Sequence, residues 1–406
     1  MQSTHGALRR HLWTALAPAG AAAVQHGLPP AWLGHRWVRH ESLPAFCEHR
    51  AGSRHVIAAR TIHPERTEIH PLPRNVARRD DLPADRGWWG YSFHDVPARP
   101  SGATMMATLR DCTVAWFNDE TRSGDWYPGI LAGDGTALHM REIRFHPRHG
   151  DVLRHGGPPQ RMRRATWFAE RVYHNHSHWL TAHLPKLLLL RDLGLLGEVL
   201  LPPRRTPVID QSLRLLGLEP GDFPTWEPDR PLRVDELTVV QTDRFRPDLV
   251  RQVPRAYGIL QAPPPYRRVF ISRAGATRRR LLNEDALWPM LRDAGFERVR
   301  MEDLDFSAQV RLMSETAVLC APHGAGLTNM MFCPPGTAVV ELADLSFPNP
   351  NFYALAAALG HDYWILPAQG HGDVHPLDKD LSADLEAVAA TLPRWAPRTP
   401  AAGPNA

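Results

Sequence analysis

Residues 320–332 read CAPHGAGLTNMMF, and this stretch decides how the second half of the chain is interpreted. A short apolar run, AVLCA, leads into His-Gly-Ala-Gly, and a run typical of a helix follows. Glycines between a strand and a helix let the backbone approach a phosphate closely, and the first N–H groups of the helix attract an anion. Glycines also serve tight turns that bind nothing, so the stretch alone leaves both interpretations open.

The sequence around this stretch alternates between strands and helices. The predicted strands are RRVFISR (267–273), ERVRME (297–302), AVLCA (317–321), TAVVELA (337–343) and DYWILP (362–367). Between them we predict a helix capped by Asn283, a helix from about Ser307, the helix that follows the glycines, and a helix in NFYALAAALG (351–360). Repeated strand–helix units predict an α/β fold with a parallel, doubly wound sheet. Residues 377–392 have leucines at helical spacing and are predicted to form a final helix.

The first half of the chain is less regular. TMMATLRDCTVAWF (104–117) predicts a strand, and DWYPGILAGDGTALHM (125–140) predicts a hairpin that turns at Gly133-Asp134-Gly135. HWLTAHLPKLLLLRDLGLLG (178–197) predicts a helix with a kink or restart at Pro185, and further strand and helix patterns follow. This alternation predicts a second parallel sheet.

A proline-rich break, LQAPPPY (260–266), marks the predicted domain boundary. We therefore predict an N-terminal extension of unassigned structure (1–100), an acceptor-side Rossmann-like domain (101–260), a nucleotide-binding Rossmann-like domain (261–370), and a C-terminal helix with a Pro/Ala tail (371–406).

Composition excludes several classes of protein. The chain has 406 residues, 43% of them hydrophobic and 22% charged, which favours ordered domains over disorder. The net charge of +4 is mild, and no block of like charge is long enough for a nucleic-acid-binding arm. The four cysteines lack CxxC spacing and are expected to be buried, reduced side chains. No apolar run approaches the roughly 20 residues of a membrane-spanning helix. We expect a cytosolic protein.

Two features turn the glycine stretch into a predicted nucleotide site. Ser272 and Arg273 end the first strand of the same half, so they are expected on the same rim as Gly324 and Gly326. Glu341 ends the strand after the glycine helix and is expected to bind a ribose diol. The segment also approximates GxGxxG, which keeps a Rossmann NAD(P)-dependent oxidoreductase open as an alternative. The glycine turn is the third of its half, however, and not the first.

Two patterns raise the question of a metal. Asp303-Leu304-Asp305 is a DxD sequence, but it immediately precedes a predicted helix and fits a helix cap better. His174, His176 and His178 would share one face in a strand and could then bind zinc or iron. A helix is expected to begin there, so we predict no metal site.

These residues resemble glycosyltransferase family 61. The family pattern includes a Ser-Arg strand end, an arginine followed by Asn-Glu, a glutamine in the next helix, and His-Gly-Ala-Gly-Leu-Thr-Asn. A second block, Asn-x-x-His-Trp-Leu, is matched at 175–180, and the resemblance extends over about 104–367. The residues that carry it are Ser272, Arg273, Arg279, Asn283, Glu284, Gln309, His323, Gly324, Ala325, Gly326, Asn329, Asn175, His178 and Trp179.

The resemblance implies a GT-B architecture, in which two Rossmann-like halves face a cleft. It implies an inverting, metal-independent hexosyl- or pentosyltransferase that uses a nucleotide sugar, with UDP favoured, and needs no cofactor. Bacterial members of the family often act in capsule or exopolysaccharide synthesis, so the expected acceptor is a glycan or a lipid-linked glycan at the inner face of the membrane. The expected donor-binding residues include Arg273, Arg278 or Arg279, His323 and the amides of 324–326. Asn175 and Trp179 are expected on the acceptor side.

The catalytic base is the open point of the resemblance. Family members commonly carry Asp or Glu four residues after the histidine of the His-Trp block, where this chain has Ala182. His178 and His183 are the remaining candidates, since histidine is suited to proton transfer near neutral pH. On a helix these two side chains point in different directions, so only one is expected to face the cleft. A catalytically impaired glycan-binding relative is a second alternative.

Overall fold

A computed structural model describes residues 37–83, 92–119, 125–228, 230–347 and 349–395, together with isolated residues and short pieces between 16 and 35. The predicted Pro/Ala tail from 396 onward and most of the first 36 residues lie outside the described residues. The described part is a mixed α/β structure with two large sheets and one two-stranded sheet.

The first large sheet is built around one long strand. The strands before residue 260 in the described residues are β1 (His40–Ser42), β2 (Val56–His63), β3 (Arg66–Ile69), β4 (Ala98–Ser101), β5 (Thr104–Asp119), β6 (Asp125–Leu131), β7 (Ala137–His139), β8 (Gln160–Trp167) and β9 (Leu232–Gln241). The sheet order is β1-β7-β6-β5-β9-β8, with β2 also paired to β5, while β3 and β4 form the small sheet. The predicted strand at 104–117 and the predicted hairpin at 125–140 are both confirmed.

The prediction of a parallel, Rossmann-like sheet in this half is wrong. β5 pairs antiparallel with β2, β6 and β9, and β6 pairs antiparallel with β7. Parallel pairing needs a crossover of about a dozen or more residues. The links from β5 to β6 and from β6 to β7 are shorter than that, so they impose antiparallel pairing. Only β8–β9 and β1–β7 are parallel among the described strands of this sheet.

Helices of the first half pack against this sheet and lead toward the second. They are α1 (Leu43–His49), α2 (Pro147–His155), α3 (His176–His178), α4 (Leu184–Asp192), α5 (Pro207–Leu215), α6 (Pro247–Val250) and α7 (Gln252–Ala256). A π-helical turn, Trp179–His183, joins α3 to α4, so one helix runs from 176 to 192. The π-turn ends just before Pro185, which has no N–H to continue regular α-helical bonding. The stretch GEVLLPP (197–203) forms a single β-bridge, between Val199 and Thr166.

The second large sheet confirms the predicted strand–helix alternation. Its strands are β10 (Arg267–Ile271), β11 (Phe296–Val299), β12 (Thr316–Pro322), β13 (Ala338–Asp344), β14 (Asp362–His371) and β15 (Asp380–Ala383). Their order is β11-β10-β12-β13-β14-β15, and all neighbours are parallel except β14–β15. The helices are α8 (Glu284–Asp293), α9 (Phe306–Ser314), α10 (Asn351–Leu359) and α11 (Leu385–Thr391). The sequence after the glycines forms a 3-10 helix, Ala325–Phe332, and not the expected α-helix.

The segment 377–392 is not the single helix that its leucine spacing predicts. Its first part forms β15, and Leu381 of that strand faces Gly370 of β14. Asp384 then caps α11 by accepting hydrogen bonds from the N–H groups of Glu386 and Ala387. The chain as far as Trp395, which is fully buried, packs into the core beside the second sheet.

Apolar side chains cover both faces of the second sheet. β12 is buried along its whole length, and β13 is buried except at its last residue. Such continuous burial is typical of parallel strands with a layer on each side. The four cysteines are buried and unpaired, as predicted.

Part of the predicted N-terminal extension is attached to the second sheet. The side chain of Asn75 donates to the carbonyl of Ile365 and accepts from its N–H, at 2.6 and 3.1 Å. The hydroxyl of Tyr353 donates to the carbonyl of Pro71 at 2.7 Å. Residues 71–75 therefore belong to the same packed structure as the second half. The domain boundaries set out from the sequence stay predictions.

Candidate active site

The fold creates a crevice at one end of the second sheet. From β10 the chain passes to β11 on one side, and it then returns to β12 on the other side. Ligands of open α/β sheets bind beyond the carboxyl ends of the strands at this reversal point. Ser272 and Arg273 directly follow β10, and His323 and Gly324 directly follow β12. The structure thus brings together the rim residues that the sequence predicted.

Gly324 leaves room for the guanidinium group of Arg273. A Cβ atom at Gly324 would lie 2.5 Å from Nη1 of Arg273. The backbone of Gly324 is extended, at φ 171°, so the glycine is required for space and not for its own conformation. Gly326 is less constrained, since a Cβ there would lie 3.2 Å from Ile271.

Arg273 is positioned by main-chain acceptors only. Its Nε donates to the carbonyl of Arg279 at 2.8 Å, and its Nη2 donates to the carbonyl of Arg278 at 2.8 Å. Among the described residues no carboxylate lies within ion-pairing distance of it. Burial, together with the nearby charge of Arg279, lowers the pKa of Arg273 to about 10. The group stays cationic at neutral pH, so an uncompensated positive charge faces this crevice.

The three consecutive arginines have separate roles. Arg278 and Arg280 are exposed and pair with Asp378 and Asp380. Arg279 turns the other way, with φ 55°, and its Nε is buried without a hydrogen-bond acceptor among the described residues. Burial lowers the pKa of Arg279, although Asp378 opposes this effect. A buried donor without a partner destabilises the folded state unless a ligand or water fills its place.

The side chain of Arg279 lines a pocket between the loops that follow β10, β12 and β13. The pocket is lined by Arg279, His323, Ala343, Asp344, Phe347, Asn349, Pro376, Leu377, Lys379 and Leu381. Among the described residues no carboxylate forms an ion pair with Lys379, which is one of only two lysines in the chain. The pocket therefore has two cations against the single carboxylate of Asp344, and it favours an anionic ligand.

His323 and Glu341 form a buried hydrogen-bonded pair. The Nδ1 of His323 contacts Oε1 of Glu341, whose other oxygen accepts from the hydroxyl of Tyr363 at 2.5 Å. Nε2 of His323 accepts from the side-chain amide of Asn349 at 3.2 Å, which assigns the proton to Nδ1. The carboxylate orients the imidazole, and the ring presents Nε2 on the side of the pocket.

The prediction that Glu341 binds a ribose diol is wrong. Its side chain is fully buried, and both oxygens are occupied by His323 and Tyr363. This also removes the acidic residue that a dinucleotide-binding fingerprint needs. Sequence reasoning missed the His323–Glu341 pair, although His323 directly follows β12 and Glu341 lies in the neighbouring strand β13.

Several predicted donor-binding residues support the loops of the site. The hydroxyl of Ser272 donates to Glu284 at 2.6 Å, and both side chains are buried. Asn283 does not cap α8 with its side chain. Instead it exchanges two hydrogen bonds of 2.9 Å with the backbone of Ala383, which fixes β15 beside the loop. These contacts hold the segment that carries Arg273 and Arg279.

Asn329 connects the two halves of the molecule. It is buried in the 3-10 helix that begins at Ala325, and its Oδ1 lies 3.1 Å from Nε2 of His176 in α3. Nδ2 of Asn329 has no partner among the described residues. The contact places the two sequence blocks of the resemblance side by side.

The predicted acceptor-side residues are structural. Asn175 caps α3, because its side chain accepts from the N–H groups of Ser177 and His178. Trp179 is buried, and its indole N–H donates to the hydroxyl of Ser212 at 2.9 Å. Neither side chain is placed to stack on a ligand.

His183 is fully buried with both ring nitrogens bonded to the backbone. Nε2 accepts from the N–H of Glu170 at 3.0 Å, and Nδ1 donates to the carbonyl of His178 at 2.9 Å. Burial lowers the pKa of His183 to about 4. We therefore propose no catalytic role for it.

His178 has a different environment. Its Nδ1 is buried without a partner among the described residues, while the side chain as a whole is only half-buried. Burial lowers the pKa of His178 well below its usual range, and the charges of Arg244 and Arg141 add to this effect. The imidazole is neutral at pH 7, and a neutral imidazole can accept a proton.

Sequence reasoning also missed an ion cluster beneath this helix. Glu170 contacts the ammonium of Lys186 and lies 2.6 Å from Arg141. Burial alone would raise the pKa of Glu170, but Arg141 and Lys186 outweigh it and hold the pKa at about 2. A lysine within a run of leucines was the signal that could have indicated a buried partner.

Both sequence patterns that raised the question of a metal belong to helix starts. Asp305 caps α9 by accepting from the N–H of Ala308 at 2.7 Å. His176 and His178 lie in a helical turn, so they do not have the strand geometry that a shared face requires. In the described ranges, no three His, Cys, Asp or Glu side chains converge as metal ligands would.

Comparisons with known proteins agree on one family. Residues 176–340 match the family model described as Glycosyltransferase 61. A beta-1,2-xylosyltransferase of Oryza sativa subsp. japonica is 35% identical over 127 residues, which are 30% of this chain and 22% of that protein. An EGF domain-specific O-linked N-acetylglucosamine transferase of Drosophila melanogaster is 35% identical over 98 residues, or 22% of this chain and 19% of that protein. A beta-1,2-xylosyltransferase of Arabidopsis thaliana is 34% identical over 55 residues, or 14% and 10%.

The chain thus spans about a fifth or less of the length of these curated relatives. Residues 176–340, which the family model matches, contain α3, the π-turn, the loop with Arg273 and Arg279, and the glycine stretch. These findings support the predicted resemblance to glycosyltransferase family 61. Within the described part of the chain, no helix is both long and apolar enough to cross a membrane.

Proposed function

We propose that this protein is an inverting, metal-independent glycosyltransferase that moves a sugar from a nucleotide-sugar donor to a glycan or glycolipid acceptor. The observation that carries the proposal is the pair of arginines at the crevice, Arg273 and Arg279. Both are removed from much of the solvent, and neither has a carboxylate partner among the described residues. The diphosphate of a nucleotide sugar supplies the missing negative charge.

The donor is held by three kinds of group. Arg279 and Lys379, which line the pocket, contact the diphosphate. Arg273, which packs against Gly324, and the first N–H groups of the 3-10 helix at 325–326 bind the same anion from beside the pocket. His323, oriented by Glu341, presents Nε2 as an acceptor to a hydroxyl of the donor sugar, which replaces the side-chain amide of Asn349 there. UDP is the favoured nucleotide, and the sugar is a hexose or a pentose.

The reaction is a single displacement at the anomeric carbon. The acceptor oxygen forms a bond to this carbon while the bond from the carbon to the phosphate oxygen breaks. The acceptor proton passes to His178, and the nucleoside diphosphate leaves with the electron pair of the broken bond. The arginines stabilise the negative charge that develops on the leaving group, which is the larger part of catalysis in this arrangement.

His178 is the proposed base because its imidazole is neutral and its Nε2, unlike the buried Nδ1, is not closed off from solvent by the described residues. It lies in the helix that packs on the 3-10 helix. Its low pKa makes it a weaker base than an ordinary histidine. The displacement therefore depends on the leaving group more than on deprotonation of the acceptor.

The biological setting that we propose is polysaccharide synthesis, with the enzyme in the cytoplasm and its acceptor at the inner face of the membrane. The names of the relatives point to xylosyl or N-acetylglucosaminyl transfer in those proteins. Both sugars belong in the first donor screen.

Thermal unfolding with UDP, GDP, NAD and NADP tests the donor site, followed by a hydrolysis screen over common nucleotide sugars. We expect stabilisation by UDP or GDP and its loss in Arg273→Ala. Stabilisation by NAD alone would support an oxidoreductase and overturn the proposal.

We expect His178→Ala to lower kcat by about 10²–10⁴-fold with little change in UDP affinity. An unchanged kcat would exclude His178 as the base.

Ala182 favours one alternative, a catalytically impaired glycan-binding relative. This residue is buried in the π-turn, at the position where the resembled family carries a carboxylate. Nucleotide binding without transfer to any acceptor would support that alternative. If a missing base limits the rate, Ala182→Asp increases transfer. No change in transfer activity would argue against that role.

A further inference from the structure

A second cavity lies on the first half of the molecule, near the helix that begins at His176. It has a volume of about 410 Å³ and opens to solvent. Its lining is formed by Trp116, Asn118, Trp126, Tyr173, His174, Pro203, Arg204, Arg205, Thr206, Trp226 and Pro228. Volumes of this order are typical of sites for small molecules.

The floor of the cavity is a cluster of aromatic rings. The rings of Trp126 and Trp226 stack with centroids 5.7 Å apart, and Trp116 lies 5.6 Å from Trp226. Tyr173 meets Trp126 edge-on at 5.2 Å. All four side chains are at least nine-tenths buried, so the floor is rigid and preformed.

Two indole donors at this floor have no acceptor among the described residues. The indole N–H of Trp116 donates to the carbonyl of Pro228 at 2.7 Å. The corresponding groups of Trp126 and Trp226 have no such acceptor in the described part of the chain, although these rings are only 6% and 2% exposed. Neither indole N–H is among the buried polar atoms that lack a partner in the described residues, so both are open to the solvent of the cavity, where a ligand oxygen can accept from them.

The rim of the cavity adds positive charge. The side chain of Arg204 is exposed and has no ion-pair or hydrogen-bond partner in the described part of the chain. Arg205 is already paired with Asp210. No carboxylate belongs to the lining formed by the described residues. The cavity therefore offers donors and a free guanidinium group, and it favours an anionic ligand with several oxygen atoms.

The cavity lies beside the contact that joins the two halves of the molecule. His174 lines the cavity, and His176, two positions later, contacts Asn329 behind the glycine stretch. Two residues of chain span at most about 7 Å. A molecule in the cavity can therefore extend toward the site of transfer.

From these observations we infer that the cavity binds the acceptor, and that this acceptor is a saccharide with an anionic group. The indole N–H groups donate to sugar oxygens, and Arg204 binds the anion, which is a carboxylate or a phosphate. The inference rests on the proposed function, because it assigns the second substrate of the same reaction.

Calorimetric titration of the full chain tests this assignment with three probes: tetragalacturonate, glucose 6-phosphate and uncharged cellotetraose. We expect an anionic probe to bind, and the identity of that probe distinguishes carboxylate from phosphate. Arg204→Ala is expected to weaken binding about 10–100-fold, because a charge-assisted hydrogen bond is lost. Trp226→Phe keeps a ring in place and removes only one donor, so about a fivefold loss is expected.

Arg255→Ala is the matched control, since it removes an exposed arginine that does not line the cavity. Equal effects of Arg204→Ala and Arg255→Ala would overturn the inference. Binding of cellotetraose as tight as that of the tighter anionic probe, or no binding by either anionic probe, would also overturn it. UDP titrated into the same preparations separates the two proposals. UDP binding without saccharide binding overturns the assignment of the cavity and leaves the proposed function standing. Saccharide binding without UDP binding leaves the saccharide site standing and overturns the proposed function.

Discussion

Lys186 and Arg273 are both basic side chains removed from water, but only Lys186 has a carboxylate beside it among the described residues. Lys186 is 1% exposed and contacts Glu170, which also binds Arg141. Arg273 and its neighbour Arg279 contact only main-chain carbonyls or lack an acceptor. The first cluster is complete in the protein alone, so it serves structure. The second is incomplete, so it indicates a ligand.

Histidine provides a third way to bury a basic group. His149, His183 and His361 are buried, and burial lowers the pKa of each to about 4. They are neutral at pH 7 and need no counter-charge. Arginine cannot lose its charge in this way, so its burial without a partner requires an anion from outside.

The largest effect expected from a single substitution concerns the cluster of Glu170, Lys186 and Arg141. Glu170→Gln leaves Lys186 and Arg141 buried without an anion, and we expect it to lower the free energy of unfolding by about 3–5 kcal/mol. Urea unfolding measures the change. Glu198→Gln is the control, since its contact with Arg164 at 3.6 Å is exposed and is worth at most about 1 kcal/mol. Similar values for both variants would contradict the structural role of the cluster.

Arg273 and Arg279, which have no carboxylate partner among the described residues, are expected to behave in the opposite way. Arg273→Ala or Arg279→Ala removes a charge-assisted hydrogen bond to the ligand, so UDP affinity is expected to fall by about 10–150-fold. Stability without ligand is expected to stay equal or to rise, because an unpaired buried cation is removed. Isothermal titration and urea unfolding measure the two quantities. Arg278→Ala, which removes an exposed and paired neighbour, is expected to change UDP affinity by less than about threefold. A loss of stability without loss of UDP affinity would assign Arg273 and Arg279 to structure.

The neutral histidines predict a dependence of stability on pH. Well above the ordinary histidine pKa of 6.5, both the folded and the unfolded chain leave these side chains uncharged, so they contribute no pH dependence. Below it the unfolded chain binds protons while the folded one does not, until the pH reaches about 4. As the pH falls through this window, the free energy of unfolding is expected to decrease by about 1.4 kcal/mol per pH unit for each histidine. Urea unfolding at three pH values between neutrality and the folded-state pKa measures it, and a flat profile would contradict the burial of neutral imidazoles.

Glu170 contributes at lower pH. Its pKa is held below the ordinary value of 4.5, at about 2, so its stabilising effect is present above pH 4.5 and is lost as the pH falls toward 2. In Glu170→Gln this second decrease is expected to vanish, while the histidine-dependent decrease remains.

The smallest effect distinguishes the two glycines of the site. Gly324→Ala forces the guanidinium of Arg273 to move, since the new Cβ would lie 2.5 Å from Nη1. We expect UDP affinity to fall about fivefold, equivalent to one hydrogen bond of about 1 kcal/mol. Gly326→Ala places its Cβ 3.2 Å from Ile271, so a smaller change is expected. If the Gly326 variant lost more UDP affinity than the Gly324 variant, Arg273 would not be the group that this backbone accommodates.

How much of the site the sequence could predict differs between its parts. The rim residues Arg273, His323 and Gly324 were predictable, because the carboxyl ends of adjacent parallel strands meet at one edge. The orientation of Arg279 relative to its two neighbours was not predictable, because a backbone reversal at φ 55° decides it. The role of Glu341 was misjudged because β13 continues to Asp344, so Glu341 lies in the middle of the strand and not at its end. There His323 and Tyr363 occupy its two oxygens.

The sequence by itself determined the parallel order of the second sheet and the place of its crevice. This is because the alternation of strands and helices depends on residues that are close in sequence, and the second half of the structure shows the same alternation. It did not determine the first sheet, whose antiparallel pairing follows from link lengths that periodicity does not measure. Only the tertiary structure decided which buried basic side chains pair with a carboxylate and which have no such partner among the described residues. Whether a carboxylate lies beside a buried lysine or arginine depends on residues distant in the chain, and ion pairing is a property of distance in space.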